Sequence, residues 1–234
     1  MIQSLTDRRF SRKVNQISYS LLVSFFCLYL LSHLLSIHVH PFRNFSQEIL
    51  VVISLFLSIS FLFQEKETLF VFPVPASLPL LIVGMMMFQA WLGIVSIYQL
   101  AYPLMYLSLT VVAILLGANC FSKANSLTSL SLALALAHLI AGLISVVMQL
   151  TQIFGLYLDP FVMYFPAGAQ TLMRPFANVA QPNQLALLLC FALASLWWLF
   201  QVGRLRVWAA LVMAVVLLLG LALTQSRIAW VILP

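Results

Sequence analysis

Val207-Trp208-Ala209-Ala210-Leu211-Val212-Met213-Ala214-Val215-Val216-Leu217-Leu218-Leu219-Gly220-Leu221-Ala222-Leu223 runs for seventeen residues without a charge. A helix that crosses the hydrocarbon core needs about 20 mostly apolar residues, and about 17 is the short end of the range. Arg204 and Arg206 bound this run on one side, and Thr224-Gln225-Ser226-Arg227 on the other. Carried outward along the chain, the same reading marks spans near 17–38, 47–63, 77–97, 101–119, 127–153, 183–200 and 207–223. An eighth apolar run starts at Ile228, and the sequence stops at Pro234, after about a third of a span. A chain that stops inside an apolar run is expected to be a fragment of a longer one. The fold expected is an all-α polytopic integral membrane protein, with about seven transmembrane helices and the start of an eighth.

Composition agrees. Hydrophobic residues make up 64% of the 234 and charged residues only 7%, too little charge for a soluble domain of this size. The net charge of +6 does not point to nucleic acid, because the basic residues are spread over short loops. Cys27, Cys120 and Cys190 all fall in apolar runs, and read as buried small hydrophobes. Arg8, Arg9, Arg12 and Lys13 resemble the start of a signal peptide. The apolar stretch after them is too long and lacks a small-x-small cleavage site, so a retained first span is expected.

Cytoplasmic loops carry the excess of Lys and Arg. With the N-terminal tail inside, that face holds eight of the eleven, adding Lys66, Lys123, Arg204 and Arg206 to the tail. The opposite face holds Arg43, Arg174 and Arg227. A cytoplasmic N-terminus follows. The expected layout is a tail over 1–16, a five-helix region over 17–153, an outer loop over 154–182 and a further helical core from 183 to 234. The outer loop holds Pro160, Pro166, Pro175 and Pro182, together with Tyr157, Phe161, Tyr164, Phe165 and Phe176. Aromatic residues of this kind settle at the membrane–water interface.

Two polar motifs fall on that outer face: Arg174-Pro175-Phe176-Ala177-Asn178-Val179-Ala180-Gln181-Pro182-Asn183, and Thr224-Gln225-Ser226-Arg227. Positive charge there runs against the usual bias, and a bound anion is the simplest reason. Pro182 suits the first turn of the sixth span, whose free N–H groups and positive dipole end point outward. Asn178, Gln181 and Asn183 add hydrogen-bonding groups, and Arg174 adds a planar cation able to grip a phosphate through two parallel bonds. Thr224 or Ser226 is placed to cap an eighth span. Arg227 in its first turn opposes the dipole, a conflict that an anion would remove. The plainer reading is that terminal arginines snorkel to the headgroups, but it leaves the Asn, Gln, Ser and Thr neighbours without a role.

Other polar residues read as structural. His138 lies mid-span with no Asp or Glu in any span interior, so a helix–helix hydrogen bond is expected, and His33 reads the same way. His38 and His40 flank the outer end of the first span. Gln89, Gln149 and Gln152 read as interhelical glue, Met85, Met86 and Met87 as packing filler, and Glu65-Lys66-Glu67 as a solvated cytoplasmic turn. Asp159, the one carboxylate in the outer loop, reads as a loop or capping residue before a general base. No metal site or cofactor is expected.

The run R-P-F-A-N-V-A-Q-P-N at 174–183, followed by L-T-Q-S-R at 223–227, resembles the O-antigen ligase and O-antigen polymerase superfamily. Within it, the chain is most similar to the bacterial protein O-oligosaccharyltransferases that glycosylate pilins. The layout matches over 1–234, but strong motif resemblance is confined to about 170–230. The resemblance implies a Gram-negative inner-membrane enzyme that takes a glycan from an undecaprenyl diphosphate carrier on the periplasmic side. The acceptor implied is a Ser or Thr hydroxyl of a pilin or other periplasmic protein, or in relatives a lipid A core sugar or a growing glycan. Arg174 and Arg227 match arginines thought to bind the donor diphosphate. Asn178, Gln181, Asn183, Thr224 and Ser226 stand beside them as substrate-binding candidates. The family also carries a large periplasmic loop with a histidine proposed as base, which would lie past Pro234. Residues 183–234 would then be the start of a truncated core, inactive alone.

Two other classes compete. A transporter or lipid flippase would call for ionisable residues inside spans, and no Asp, Glu, Lys or Arg lies in a span interior. A non-catalytic membrane subunit would use the outer loop to bind a partner.

Overall fold

The computed structural model describes residues 19–36, 45–63, 71–121, 124–164, 174–179 and 181–227. The basic tail, the loops with His38, His40, Arg43, Lys66 and Lys123, and Phe165 and Pro166 lie outside the described residues. So does the start of an eighth span at 228–233. Among the described residues every regular element is helical: α1 (Tyr19–Leu34), α2 (Phe45–Phe63), α3 (Ser77–Trp91), α4 (Ile97–Phe121), α5 (Ala124–Phe154), α6 (Pro182–Gln201) and α7 (Val207–Leu223), with a short 3₁₀ turn at Val74–Ala76.

Among the described residues four stretches are long and apolar enough to cross a membrane: Val74–Trp91, Tyr98–Asn119, Thr128–Phe154 and Pro182–Gln201, of 18, 22, 27 and 20 residues. At about 1.5 Å per residue these cover from roughly 27 to 40 Å, the range of a hydrocarbon core and its margins. Three shorter apolar helices, Tyr19–Leu34, Ser46–Ile59 within α2 and Val207–Leu223, accompany them. Large apolar side chains face outward, among them Leu81, Phe88 and Trp91 on α3, Tyr98 on α4, and Trp208, Val212 and Val215 on α7. Such a surface is costly in water and suits hydrocarbon, which suggests a membrane protein.

Several local expectations are corrected. Met85 and Met87 are exposed on α3 and fill no core, and Cys27 is exposed on α1. Gln89 is exposed and joins no helix pair. The span expected over 77–97 stops at Trp91, because Gly93 takes a φ of 71° and the Ile94 N–H bonds back to Gln89 O at 3.0 Å. That closure satisfies the last carbonyls and ends the helix.

The chain divides into two compact units, Met1–Leu22 with Leu55–Leu130, and Val23–Ser54 with Ser131–Pro234. This division cuts across the boundary expected at 153/154, since residues 131–154 belong with α6 and α7. In the first unit, α3 and α4 pack together, and Asn119 near the end of α4 ties down Val71. Its Oδ1 accepts from the Val71 N–H and its Nδ2 donates to the Val71 carbonyl, both at 2.9 Å.

The core of the second unit lies between α5, α6 and α7, around Leu139, Val146, Leu185, Leu189, Leu217 and Leu221. Small residues let these helices approach. A Cβ added at Gly142 of α5 would lie 2.5 Å from Ala192 Cβ and 3.1 Å from Leu217 Cδ2. Close backbone approach of this kind is how helices associate where no hydrophobic force separates protein from solvent. Gln149, fully buried on α5, donates to Gly220 O of α7 at 3.1 Å, the interhelical bond expected of it.

Candidate functional site

The site is built where α5 ends, α6 begins and α7 ends, all within the second unit. Gly155 stops α5 with a φ of 65°, and the Leu156 N–H bonds back to Thr151 O at 2.9 Å. Pro182 starts α6, as its fixed φ and missing N–H allow. Gln181 precedes it in an extended conformation, and its side chain makes no cap bond. α7 ends differently. Gln225 occupies the left-handed position usually held by glycine, with φ 49°, and its N–H bonds to Ala222 O at 3.1 Å. Left-handed backbone costs a residue with a Cβ about 1–2 kcal/mol. The next amide, that of Ser226, does not reach back to the helix carbonyls. It bonds to Thr224 Oγ1 at 3.2 Å.

These three ends bring the two sequence motifs into one place. Arg174 Nη1 donates to Gln225 O at 3.1 Å. Ser226 Oγ donates to Asn183 Oδ1 at 3.0 Å, across 43 residues of sequence. A cation beside the carboxyl end of α7 is favourable by itself, and this contact uses one of the five guanidinium N–H donors. The Arg174 side chain is otherwise exposed, as are Gln181 and Arg227. Among the described residues neither arginine has a carboxylate partner. The arrangement therefore brings the Arg174 guanidinium to the end of α7, where Ser226 is joined to Asn183 at the start of α6 and the exposed Arg227 follows in sequence.

Not every candidate faces that opening. Asn178 is fully buried. Its Nδ2 donates to Leu34 O and Phe161 O, both at 2.7 Å, and its Oδ1 accepts from the Met163 N–H at 2.8 Å. Both of its N–H donors are spent on backbone, so the substrate contact expected from the sequence is replaced by a scaffold role. Thr224 is likewise fully buried; its Oγ1 donates to Leu221 O at 2.7 Å and accepts from the Ser226 amide. It closes the turn and offers nothing to a ligand. Thr224 or Ser226 is expected to cap an eighth span, which lies outside the described residues; the Ser226 hydroxyl goes to Asn183.

The scaffold also contains two glutamines, Gln152 and Gln47. Gln152, in the last turn of α5, bonds to the loop segment and not to a neighbouring helix. Gln47 of α2 donates to Asn178 O at 2.7 Å and Leu35 O at 3.0 Å. The Tyr164 hydroxyl donates to Leu156 O and accepts from the Leu158 N–H, which folds the first half of the loop on itself. A glutamine three residues before a helix-ending glycine was the only sequence signal for this; it puts a long polar group next to the loop. Asp159 is exposed in that loop.

Compared with protein-family models, curated proteins and solved structures, the chain matches none. Function must therefore be argued from these residues.

The remaining polar cluster of the unit lies away from this opening. His138 Nε2 meets Tyr29 Oη at 2.9 Å, the α5–α1 bond expected of a mid-span histidine. The His33 ring stands edge-on to Tyr29, and its buried Nε2 has no hydrogen-bond partner among the described residues. Among the described residues no three His, Cys, Asp or Glu come close enough to hold a metal ion.

Proposed function

We propose that this chain forms the donor-binding part of a membrane glycosyltransferase of the O-antigen ligase and protein O-oligosaccharyltransferase type. It would cross a Gram-negative inner membrane about seven times, with the N-terminus in the cytoplasm and the Arg174 and Arg227 motifs on the periplasmic side. The observation that carries the reading is the Arg174–Gln225 contact. It brings together two polar motifs whose contacting residues are 51 positions apart in the sequence.

The chemistry suits those residues. Glycosyl transfer from undecaprenyl diphosphate leaves growing negative charge on the departing phosphate. Guanidiniums and helix amides set beforehand around that position stabilise the transition state more than the ground state. Arg174 and Arg227 would hold the diphosphate, while Asn183, Ser226 and Gln181 line its approach. The apolar outer faces of the helices would take the polyprenyl tail. The acceptor in this reading is a hydroxyl of a pilin or other periplasmic protein.

Binding of farnesyl diphosphate, a short soluble polyprenyl diphosphate, to the purified protein in lipid nanodiscs tests the reading. Each charge-assisted hydrogen bond is worth about 1.5–3 kcal/mol, so Arg174→Ala and Arg227→Ala should each weaken binding by roughly ten- to a hundredfold. Equal binding by the wild type and the double variant would remove the assignment.

A further inference from the structure

We propose that Gln152 is the positioning residue of the diphosphate site, acting on Arg174 through the backbone that follows it. The proposal rests on the donor-binding reading given above.

Gln152 is buried in the last turn of α5, and all four hydrogen-bonding positions of its carboxamide are used on the loop. Nε2 donates to Met163 O at 2.6 Å and Ala177 O at 2.9 Å. Oε1 accepts from the Phe176 N–H at 3.0 Å and the Ala177 N–H at 2.9 Å. One side chain thus takes both the amide and the carbonyl of Ala177, a residue with φ 51°. A non-glycine residue holds that conformation only where its surroundings over-determine it, and here the Gln152 carboxamide supplies that restraint.

The restraint passes directly to Arg174. Phe176 is fixed through its amide and Pro175 has its φ fixed by its ring; both are buried. The residue before a proline is confined to extended conformations. Between Ala177 and the Arg174 Cα, the Gln152 bonds, the proline ring and the pre-proline restriction each limit the backbone torsions. The Arg174 Cα is thereby held where its guanidinium reaches Gln225 O at 3.1 Å. Preorganisation of this kind removes an ordering cost from binding. Among the described residues no hydrogen bond links Gln152 to the Thr224–Arg227 segment, so its influence should run through Arg174.

The experiment is a double-mutant cycle on farnesyl diphosphate affinity, with the whole chain in lipid nanodiscs. Gln152→Met keeps the length of the side chain and removes its hydrogen bonds. It should weaken binding about tenfold, since reordering a loop costs on the order of 1.4 kcal/mol. In an Arg174→Lys background the same change should cost twofold or less, because the group that Gln152 positions is already impaired. An additive penalty there would mean general loosening and would overturn the proposal, as would wild-type affinity in a folded Gln152→Met protein. If Gln152→Met does not fold, Gln152→Glu takes its place. It keeps an acceptor for the two amides, loses donated bonds, and is judged by the same coupling. Failure of the wild type to bind, or equal binding by the Arg174→Ala, Arg227→Ala double variant, would instead defeat the donor reading itself, and the proposal with it.

Discussion

Asn178→Ala separates a scaffold residue from a ligand contact. The side chain makes three hydrogen bonds, to Leu34 O, Phe161 O and the Met163 N–H, at 2.7, 2.7 and 2.8 Å. Alanine strands all three backbone groups. A buried polar group left without a partner costs about 1–3 kcal/mol. Leu34 and Met163 are half-buried and Phe161 is exposed, so water or headgroups can reach part of what is stranded, and the low end applies. The expected loss is about 3 kcal/mol, more than a hundredfold in the ratio of folded to unfolded protein. Unfolding in mixed micelles with increasing SDS, followed by tryptophan fluorescence, measures it. A change below about 0.5 kcal/mol, with farnesyl diphosphate binding lost, would refute the reasoning, because it is the signature of a ligand contact.

Four further substitutions, at three positions, are read in the same unfolding assay. Ala177→Val places a β-branched residue at a buried position with φ 51° and should destabilise by about 1–3 kcal/mol, whereas Ala177→Gly relieves the strain and should be neutral or stabilising by up to about 1 kcal/mol. Gly142→Ala forces a Cβ to 2.5 Å from Ala192 Cβ and should cost about 1–3 kcal/mol, while Gly117→Ala, where nothing lies within 4 Å, should cost nothing.

The sequence by itself determined the helices and most of their ends. Apolar runs read as 183–200 and 207–223 appear as Pro182–Gln201 and Val207–Leu223, and 127–153 appears as Ala124–Phe154. Helix formation and termination are local: an apolar run with Pro182 at its start, or Gly155 and Gly203 after its end, carries its own instructions. The helix expected over 77–97 ends early for the same local reason, at Gly93. The two arginines were also legible as unusual charges, because charge bias can be counted along the chain.

Only the tertiary structure decided which amide groups serve the fold and which face the opening. Asn178, Asn183, Gln149, Gln152 and Gln181 belong to one chemical class, and in sequence any of them can bind a ligand or a backbone group. Which it does depends on where unpaired carbonyls and amides are left once the helices have packed. The Asn178 donors reach Leu34, 144 residues away, Gln152 takes up the strained turn at Ala177, and Arg174 meets Gln225 across 51 residues. A buried hydrogen-bonding group must find a partner, and the partner's identity is a property of packed neighbours in space, which no local pattern of residues encodes.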